Sequence, residues 1–269
     1  MIPDITIGGL GIRAVVQVTA ETEVRIRRCS EVLYLDSGVG TQEFLEQRCD
    51  RVTPLYGRTY GEAESRLSAY HNMAAAVIDA AIARRPVAYL THGHPIVFCY
   101  SAFLVRDLAA VLGLSTEVLP GISAVACLMA DLWLDPGTRG VQMFEATDIL
   151  LRRRRLMPDV PVIIWQVGNL ETRLYTTRPS RPERLYRFRD WLLQTYPPDH
   201  PITAYYAAAH PITAPHRWTF PLCDMADHAD ALHPGITLYV PPCTLRPAQD
   251  LELLQRLDSI HHLRTITDG

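Results

Sequence analysis

The sequence predicts an α/β protein of two domains. Short β-branched runs alternate with helix-period segments from one end of the chain to the other, which argues for interleaved rather than segregated α and β elements. A Pro120-Gly121 break interrupts that alternation inside 269 residues, a length comfortable for two domains. Hydrophobic content of 48% with 20% charged residues supplies a sizeable core and excludes a disordered chain. The expected division is 1–119, 120–243 and a helical extension over 244–269.

Taken in order, 5–7 reads as a first strand leading into Gly8-Gly9-Leu10-Gly11. Thr19 is placed to cap a helix whose first turn carries Glu21 and Glu23 at the positive end of the dipole. Residues 32–35 form a strand that ends at Asp36-Ser37-Gly38. The clearest helix spans 61–85, where Leu67, Tyr70, Ala74, Val77, Ile78 and Ala81 recur at threes and fours. A strand over 87–90 runs into Thr91-His92-Gly93-His94-Pro95, and a helix over 103–112 stops at Gly113. Residues 118–119 lead into Pro120-Gly121-Ile122-Ser123. A second set follows: strands over 161–166, 202–206 and 236–240, an amphipathic helix over 184–195, and a terminal helix over 249–263.

Several function classes drop out early. The net charge of −3 offers no global attraction to nucleic acid or anionic lipid. All 26 basic residues are arginine, so Schiff-base and lysine-base chemistry is excluded. The run Arg152–Arg155 has the character of a solvated helix end. The six cysteines are scattered without a CxxC pair and do not form a secreted disulfide framework. Residues 1–12 lack the basic-then-apolar pattern of a signal peptide, and no apolar run is long enough to span a bilayer. A cytoplasmic protein with no nucleic-acid or membrane partner is expected.

Four places could carry chemistry. Gly8–Gly11 lacks the final glycine of a dinucleotide fingerprint, so a tight turn with close backbone approach is its first reading. His92-Gly93-His94-Pro95 lies at the carboxyl end of a strand, where ligands of open α/β sheets gather. Its residues allow a metal-binding pair, a turn held by Gly and Pro, or a loop whose backbone faces a cofactor. Ser123 suits an N-cap and lacks a GxSxG setting, leaving capping and cofactor contact as its readings. Tyr56, Tyr60, Arg66 and Tyr70 cluster, with Arg66 and Tyr70 four apart on one helix face. They read either as core tyrosines with satisfied hydroxyls or as phenols whose pKa a neighbouring guanidinium lowers.

In combination, Ile7–Gly11, Gly93-His94-Pro95 and Pro120–Ser123 resemble the tetrapyrrole methylase superfamily of S-adenosylmethionine-dependent enzymes, with His94 in place of the usual aspartate. The likeness narrows to the borosin peptide-backbone α-N-methyltransferases. Its carriers are His94, the Glu145–Arg152 stretch, Gln166-Val167-Gly168, Pro198-Asp199-His200, Tyr206-Ala207-Ala208 and 235–242. The resemblance implies a class III methyltransferase fold, each of two domains a mixed sheet flanked by helices, with the cofactor cleft between them.

It further implies Tyr56, Tyr60, Arg66 and Tyr70 as catalytic residues; Tyr60, Arg66 and Tyr70 align without gaps, Tyr56 across a one-residue insertion. Leu10, His94, Val97, Ser123, Ala124, Gln166, Ala208 and Thr237 fall where the superfamily contacts S-adenosylmethionine, which leaves as S-adenosylhomocysteine. His92 stands where the family has a substrate-side tyrosine. No metal is expected. An amide nitrogen is a poor nucleophile because its lone pair is delocalised, so its proton must be removed and the oxygen stabilised. Tyr70 or Tyr60 as base, with Arg66 lowering its pKa, would serve. The chain stops at Gly269 soon after the last helix, so the expected substrate is a separate precursor peptide. The likeness also implies a homodimer, with up to two precursor chains bound. A tetrapyrrole or other small-molecule methyltransferase, and a catalytically silent cofactor-binding scaffold, are the competing readings.

Overall fold

The alternating strands and helices build two separate five-stranded sheets. The computed structural model describes residues 2–13, 15–176, 178 and 181–267, with the backbone alone at Arg58. The first sheet holds β1 (Ile5–Gly9), β2 (Glu31–Leu35), β3 (Val52–Pro54), β4 (Val87–Thr91) and β5 (Thr116–Leu119), in the order β3-β2-β4-β1-β5. Its pairings are all parallel. The second holds β6 (Gln142–Glu145), β7 (Val162–Trp165), β8 (Pro201–Tyr206), β9 (His216–Pro221) and β10 (Thr237–Val240), in the order β6-β7-β10-β8-β9. There β6 and β7 run parallel and the remaining neighbours antiparallel. Helices flank both sheets as expected; the mixing of strand directions is confined to the second.

Burial explains the parallel sheet. Every residue of β1 and β4 is buried, and Val87-Ala88-Tyr89-Leu90 is the continuous apolar run that a strand covered on both faces needs. On one face Ile5, Ile7, Leu33 and Tyr89 meet Met73, Val77 and Ala81 of the Arg66–Arg84 helix. On the other, Val32, Tyr34 and Leu90 meet Ile26, Phe44 and Leu45. The second sheet packs Val162, Ile164, Ile202 and Leu238 against Leu185, Phe188 and Leu192 of the Pro182–Leu192 helix. Its opposite face, through Ile163 and Tyr205, takes Leu128 of the Ala124–Leu132 helix and Ile12 from the first unit, which joins the two. Since β5 ends at Leu119 and this next helix already sits on the second sheet, we retain 1–119, 120–243 and 244–269 as proposed domain bounds.

Among the elements that differ from their sequence expectation are the following three. The long helix starts at Arg66, not Gly61, because the backbone before it is engaged elsewhere. Ala63 N–H donates to the Tyr175 carbonyl, Tyr175 N–H to Glu64, and Arg66 N–H to Arg173. β1 runs on through Gly8 and Gly9. The terminal helix is two, Leu251–Arg256 and Ile260–Thr267. The break falls at Ser259, whose Oγ accepts from His262 N–H at 3.3 Å as a fresh N-cap. Asp268 and Gly269 lie outside the described residues. Among the described residues no helix is long and apolar enough to cross a membrane.

Candidate active site

The site begins with glycine. β4, β1 and β5 are neighbours, so their carboxyl ends bring Gly93, Gly9–Gly11 and Gly121 together. Gly93 N–H donates to the Gly11 carbonyl at 2.8 Å and Gly11 N–H returns to Gly93 at 3.2 Å. A Cβ on Gly9 would stand 2.3 Å from the Gly93 oxygen and 2.7 Å from Gly121 Cα. One on Gly121 would stand 2.4 Å from that same oxygen. Three backbones therefore touch with no room for a side chain. The close approach read from Gly8–Gly11 is present, though it is made at the end of a strand.

Over this crossing lies a cleft of about 570 Å³, within the range of small-molecule sites. His94, Val97, Ser123, Ala124, Gln166 and Thr237 line it, as do His92 and Tyr56. Leu10 and Ala208 are buried and do not line it; Ala207 and Ala209 on either side of Ala208 do. Apolar wall comes from Ile12, Phe98, Trp165 and Ile236, with the Phe98 and Trp165 rings 4.6 Å apart. Thr91 also lines the cleft; the residue is 2% exposed, and its buried Oγ1 has no hydrogen-bond partner among the described residues. A buried hydroxyl left unpaired is costly, so it calls for a polar ligand atom. Ser123 Oγ accepts from Ala126 N–H at 3.2 Å, which is the predicted cap, and Ser123 still borders the cleft.

His92 and His94 are engaged separately. Asp36 Oδ1 lies 2.8 Å from His92 Nδ1, while His94 Nδ1 accepts from Ile96 N–H at 3.3 Å. Among the described residues no group of three metal-ligating side chains forms. Burial works against charge on Asp36, but hydrogen bonds from His92 and from Thr41 Oγ1 at 2.6 Å outweigh it and hold the carboxyl below its ordinary 3.8. A folded pKa below the unfolded one means stability that is complete above about pH 4 and lost as pH falls through the folded value. Asp36→Asn is therefore expected to flatten the acid side of a melting-temperature profile. Superimposable acid limbs in the two proteins would contradict this.

The tyrosine cluster forms one wall and continues behind it. Tyr56 borders the cleft; Tyr60, Arg66 and Tyr70 stand behind it and do not line it. Tyr60 lies 5.2 Å from Tyr56 and edge-on to Tyr70 at 6.3 Å, ring centre to ring centre. Arg66 Nη1 donates to Gln166 Oε1 at 2.9 Å and Nη2 to the Thr172 carbonyl at 2.8 Å. Its charge thus goes to Gln166, which holds a left-handed φ of 63° that only close support maintains in a non-glycine residue. The expectation that Arg66 lowers the Tyr60 pKa is corrected: burial, then the Tyr70 phenol, push Tyr60 up. Burial and a hydrogen bond with Tyr175 push Tyr56 up to about 12. Neither shift runs in the direction a general base needs.

Sequence reading missed Tyr175, which stacks on Tyr60 at 4.7 Å and shares a 3.0 Å hydrogen bond with the Tyr56 hydroxyl. It also missed Tyr100 against Tyr70 at 6.1 Å and the Asp36–His92 pair. Tyr175 had no local signal, being 119 residues from Tyr56 and outside any periodic element. Asp36 carried a weak one: an acidic residue at the end of a strand, where ligands gather.

Comparison with known proteins gives the family and the fold. The chain is 28% identical over 256 residues to the methyltransferase/ribosomally synthesized cyclic peptide omphalotin A precursor of Omphalotus olearius, covering 94% of this chain and 61% of that protein. It is 30% identical over 248 residues to a methyltransferase/ribosomally synthesized type I borosin cyclic peptide precursor of Gymnopilus junonius, covering 90% and 58%. The chain therefore spans about three fifths of the length of these relatives. The fold matches crystal structures of uroporphyrin-III-C-methyltransferase from Thermus thermophilus, with TM-score 0.59 and 16% identity over 90% of this chain and 93% of that one. It also matches diphthine synthase, with TM-score 0.60 and 16% identity over 90% and 91%. Residues 5–219 fit the model of the Tetrapyrrole (Corrin/Porphyrin) Methylases, and the chain belongs to that family.

Proposed function

We propose that this chain is an S-adenosylmethionine-dependent methyltransferase that methylates backbone amide nitrogens of a peptide offered in trans. The observation that carries the reading is one cleft with two unlike sides: a glycine crossing beneath apolar walls, and a tyrosine wall backed by an arginine. The relatives named as methyltransferase and cyclic-peptide precursor support it.

The residues present fit the cofactor. The volume and apolar walls suit a nucleoside with an amino-acid tail, and the unpaired Thr91 hydroxyl offers it a hydrogen bond. His94, Val97, Ser123, Ala124, Gln166 and Thr237 would hold it, with Leu10 and Ala208 packed behind. When bound, the group supplies an electrophilic methyl on a sulfonium. The chain's own residues then position an amide against it and exclude water. Tyr56, protonated at neutral pH, donates to the amide oxygen and stabilises the negative charge that grows there. Tyr60, Tyr70 and Arg66 act as positioning residues, holding Tyr56 and Gln166 in place. We include in this proposal a homodimer with one peptide on each subunit; sedimentation measures it.

The test mixes the purified chain, S-adenosylmethionine and peptides of small apolar residues, followed by fragmentation mass spectrometry. Mass gains of one methylene located on backbone nitrogen are expected. Methyl groups only on a tetrapyrrole added in parallel, or only on the enzyme's own chain, would each refute part of the reading. Cofactor binding without transfer to anything would leave a scaffold in its place.

A further inference from the structure

Tyr56 is the member of the tyrosine wall that borders the cleft, and its own element holds it weakly. It begins the four-residue helix Tyr56–Thr59, which has no side-chain cap, and it is 40% exposed. The next residue, Gly57, has nothing within 4 Å of the place a Cβ would occupy. An exposed side chain on so open an element exchanges rotamers freely. A phenol that is to meet a substrate in one direction needs a brace.

The brace comes from the segment after β7. The Tyr175 hydroxyl lies 3.0 Å from the Tyr56 hydroxyl and is its one hydrogen-bond partner among the described residues. The Tyr175 ring also stacks on Tyr60, centres 4.7 Å apart and planes 26° from parallel, while Tyr60 lies 5.2 Å from Tyr56. The three rings close a triangle in which Tyr175 touches both of the others. Tyr175 itself is fixed through its backbone. Its N–H donates to the Glu64 carbonyl at 2.8 Å, and its carbonyl accepts from Ala63 N–H at 2.9 Å. On either side, Leu174 bridges to Ser65 and Thr176 Oγ1 donates to Glu62 Oε1 at 2.7 Å. These bonds reach the stretch between Tyr60 and Arg66, so Tyr175 is anchored to the chain that carries the wall. Stacking on Tyr60 needs only an aromatic ring; the bond to Tyr56 needs the hydroxyl as well.

We propose that Tyr175 is a positioning residue for methyl transfer, its hydroxyl fixing the direction in which Tyr56 meets the bound amide. The proposal rests on the peptide reading above. Tyr175 does not line the cleft, so it acts through Tyr56. Transfer needs the amide aligned behind the sulfonium methyl, and a misdirected aligning group lowers the rate of transfer more than it weakens binding. The hydroxyl of Tyr175 therefore belongs to kcat and not to KM.

Four proteins test this: the wild type, Tyr175→Phe, Tyr56→Phe and the double variant. Tyr175→Phe keeps the ring on Tyr60 and removes only the hydroxyl, so the melting temperature should change little. Its kcat for peptide methylation should fall about tenfold, the factor one hydrogen bond carries, with peptide KM and cofactor affinity within about twofold. Adding Tyr175→Phe to Tyr56→Phe should cost nothing further, because a brace has no effect once the hydroxyl it holds is gone. A role in packing alone gives the opposite result, the same factor repeated in the Tyr56→Phe background. That additive cycle overturns the proposal and leaves the peptide reading standing, as does full kcat in Tyr175→Phe. A fluorine placed on the Tyr56 ring reads the contact without turnover: its NMR resonance should move toward that of the free amino acid in Tyr175→Phe. An unmoved resonance overturns the proposal too. If the resonance moves but the wild type methylates no peptide, the peptide reading fails and takes the transfer role of Tyr175 with it.

Discussion

Gly9→Ala is expected to lose cofactor binding and about 3 kcal/mol of stability, the upper part of the range for forcing atoms into packed space. The reason lies in what the new methyl would meet. It would stand 2.3 Å from the Gly93 carbonyl oxygen, and 2.7 Å from Gly121 Cα. Neither is the end of a side chain that can rotate aside; both belong to loops whose backbones are hydrogen-bonded or joined to buried strands. Relief requires β1, β4 and β5 to separate at their carboxyl ends, which spoils the cleft floor above them. At about 2–4 °C per kcal/mol for a chain of this size, melting should fall by roughly 6–12 °C. Gly57→Ala is the control, since nothing lies within 4 Å of the Cβ it would add. That change should be neutral or stabilising by up to about 1 kcal/mol, as helical glycine to alanine usually is. Equal melting temperatures for the two variants would show that the glycine crossing is not under steric constraint.

Arg66→Ala is expected to lower methyl transfer by about 10²-fold while leaving the melting temperature little changed, because misplaced catalytic geometry alone can cost that much. The guanidinium ties three acceptors: Gln166 Oε1, and the carbonyls of Thr172 and Arg173. Those bonds run from the first turn of the Arg66–Arg84 helix to the 166–175 segment. That segment carries Gln166 into the cleft, and Tyr175 onto Tyr56 and Tyr60. Without the arginine, Gln166 retains a bond from Asn169 Nδ2 at 2.8 Å but loses its link to the first unit. Hydrogen exchange over 166–175 should rise along with the loss of rate. Arg66→Lys should not rescue, since one ammonium cannot reproduce a planar fork across separated acceptors. Full activity in the lysine variant would mean that charge, not the fork, is what the site requires.

Much of the fold is legible in the amino-acid sequence, and the reasons are local. Apolar runs such as Val87–Leu90 identify buried strands, and Thr19 and Ser123 cap the helices they precede. The sequence misplaces the start of the long helix because the apolar period begins only at Leu67 and does not fix the boundary before it. The hydrogen bonds that hold Ala63 and Glu64 outside the helix come from residues more than a hundred positions away. The split of the terminal helix is carried by Ser259, a cap residue inside an otherwise helical pattern. Of the candidate site, the loops that floor the cleft are readable because each is short and close to its own strand end.

The sequence by itself determined the α/β class and the loops that gather at the first sheet's carboxyl edge. Turn chemistry and apolar periodicity act over a few residues, so they are written where they operate. Only the tertiary structure decided that Tyr56 faces the cleft while Tyr60, Arg66 and Tyr70 stand behind it. It alone paired Arg66 with Gln166, Tyr56 with Tyr175 and Asp36 with His92. These pairs span separations of 100, 119 and 56 residues. Asp36 and His92 meet because they follow the neighbouring parallel strands β2 and β4, which a long crossover joins. The other two pairs join residues before the Arg66–Arg84 helix, or in its first turn, to the segment after β7 of the second sheet. None leaves a local trace of which side chains will touch.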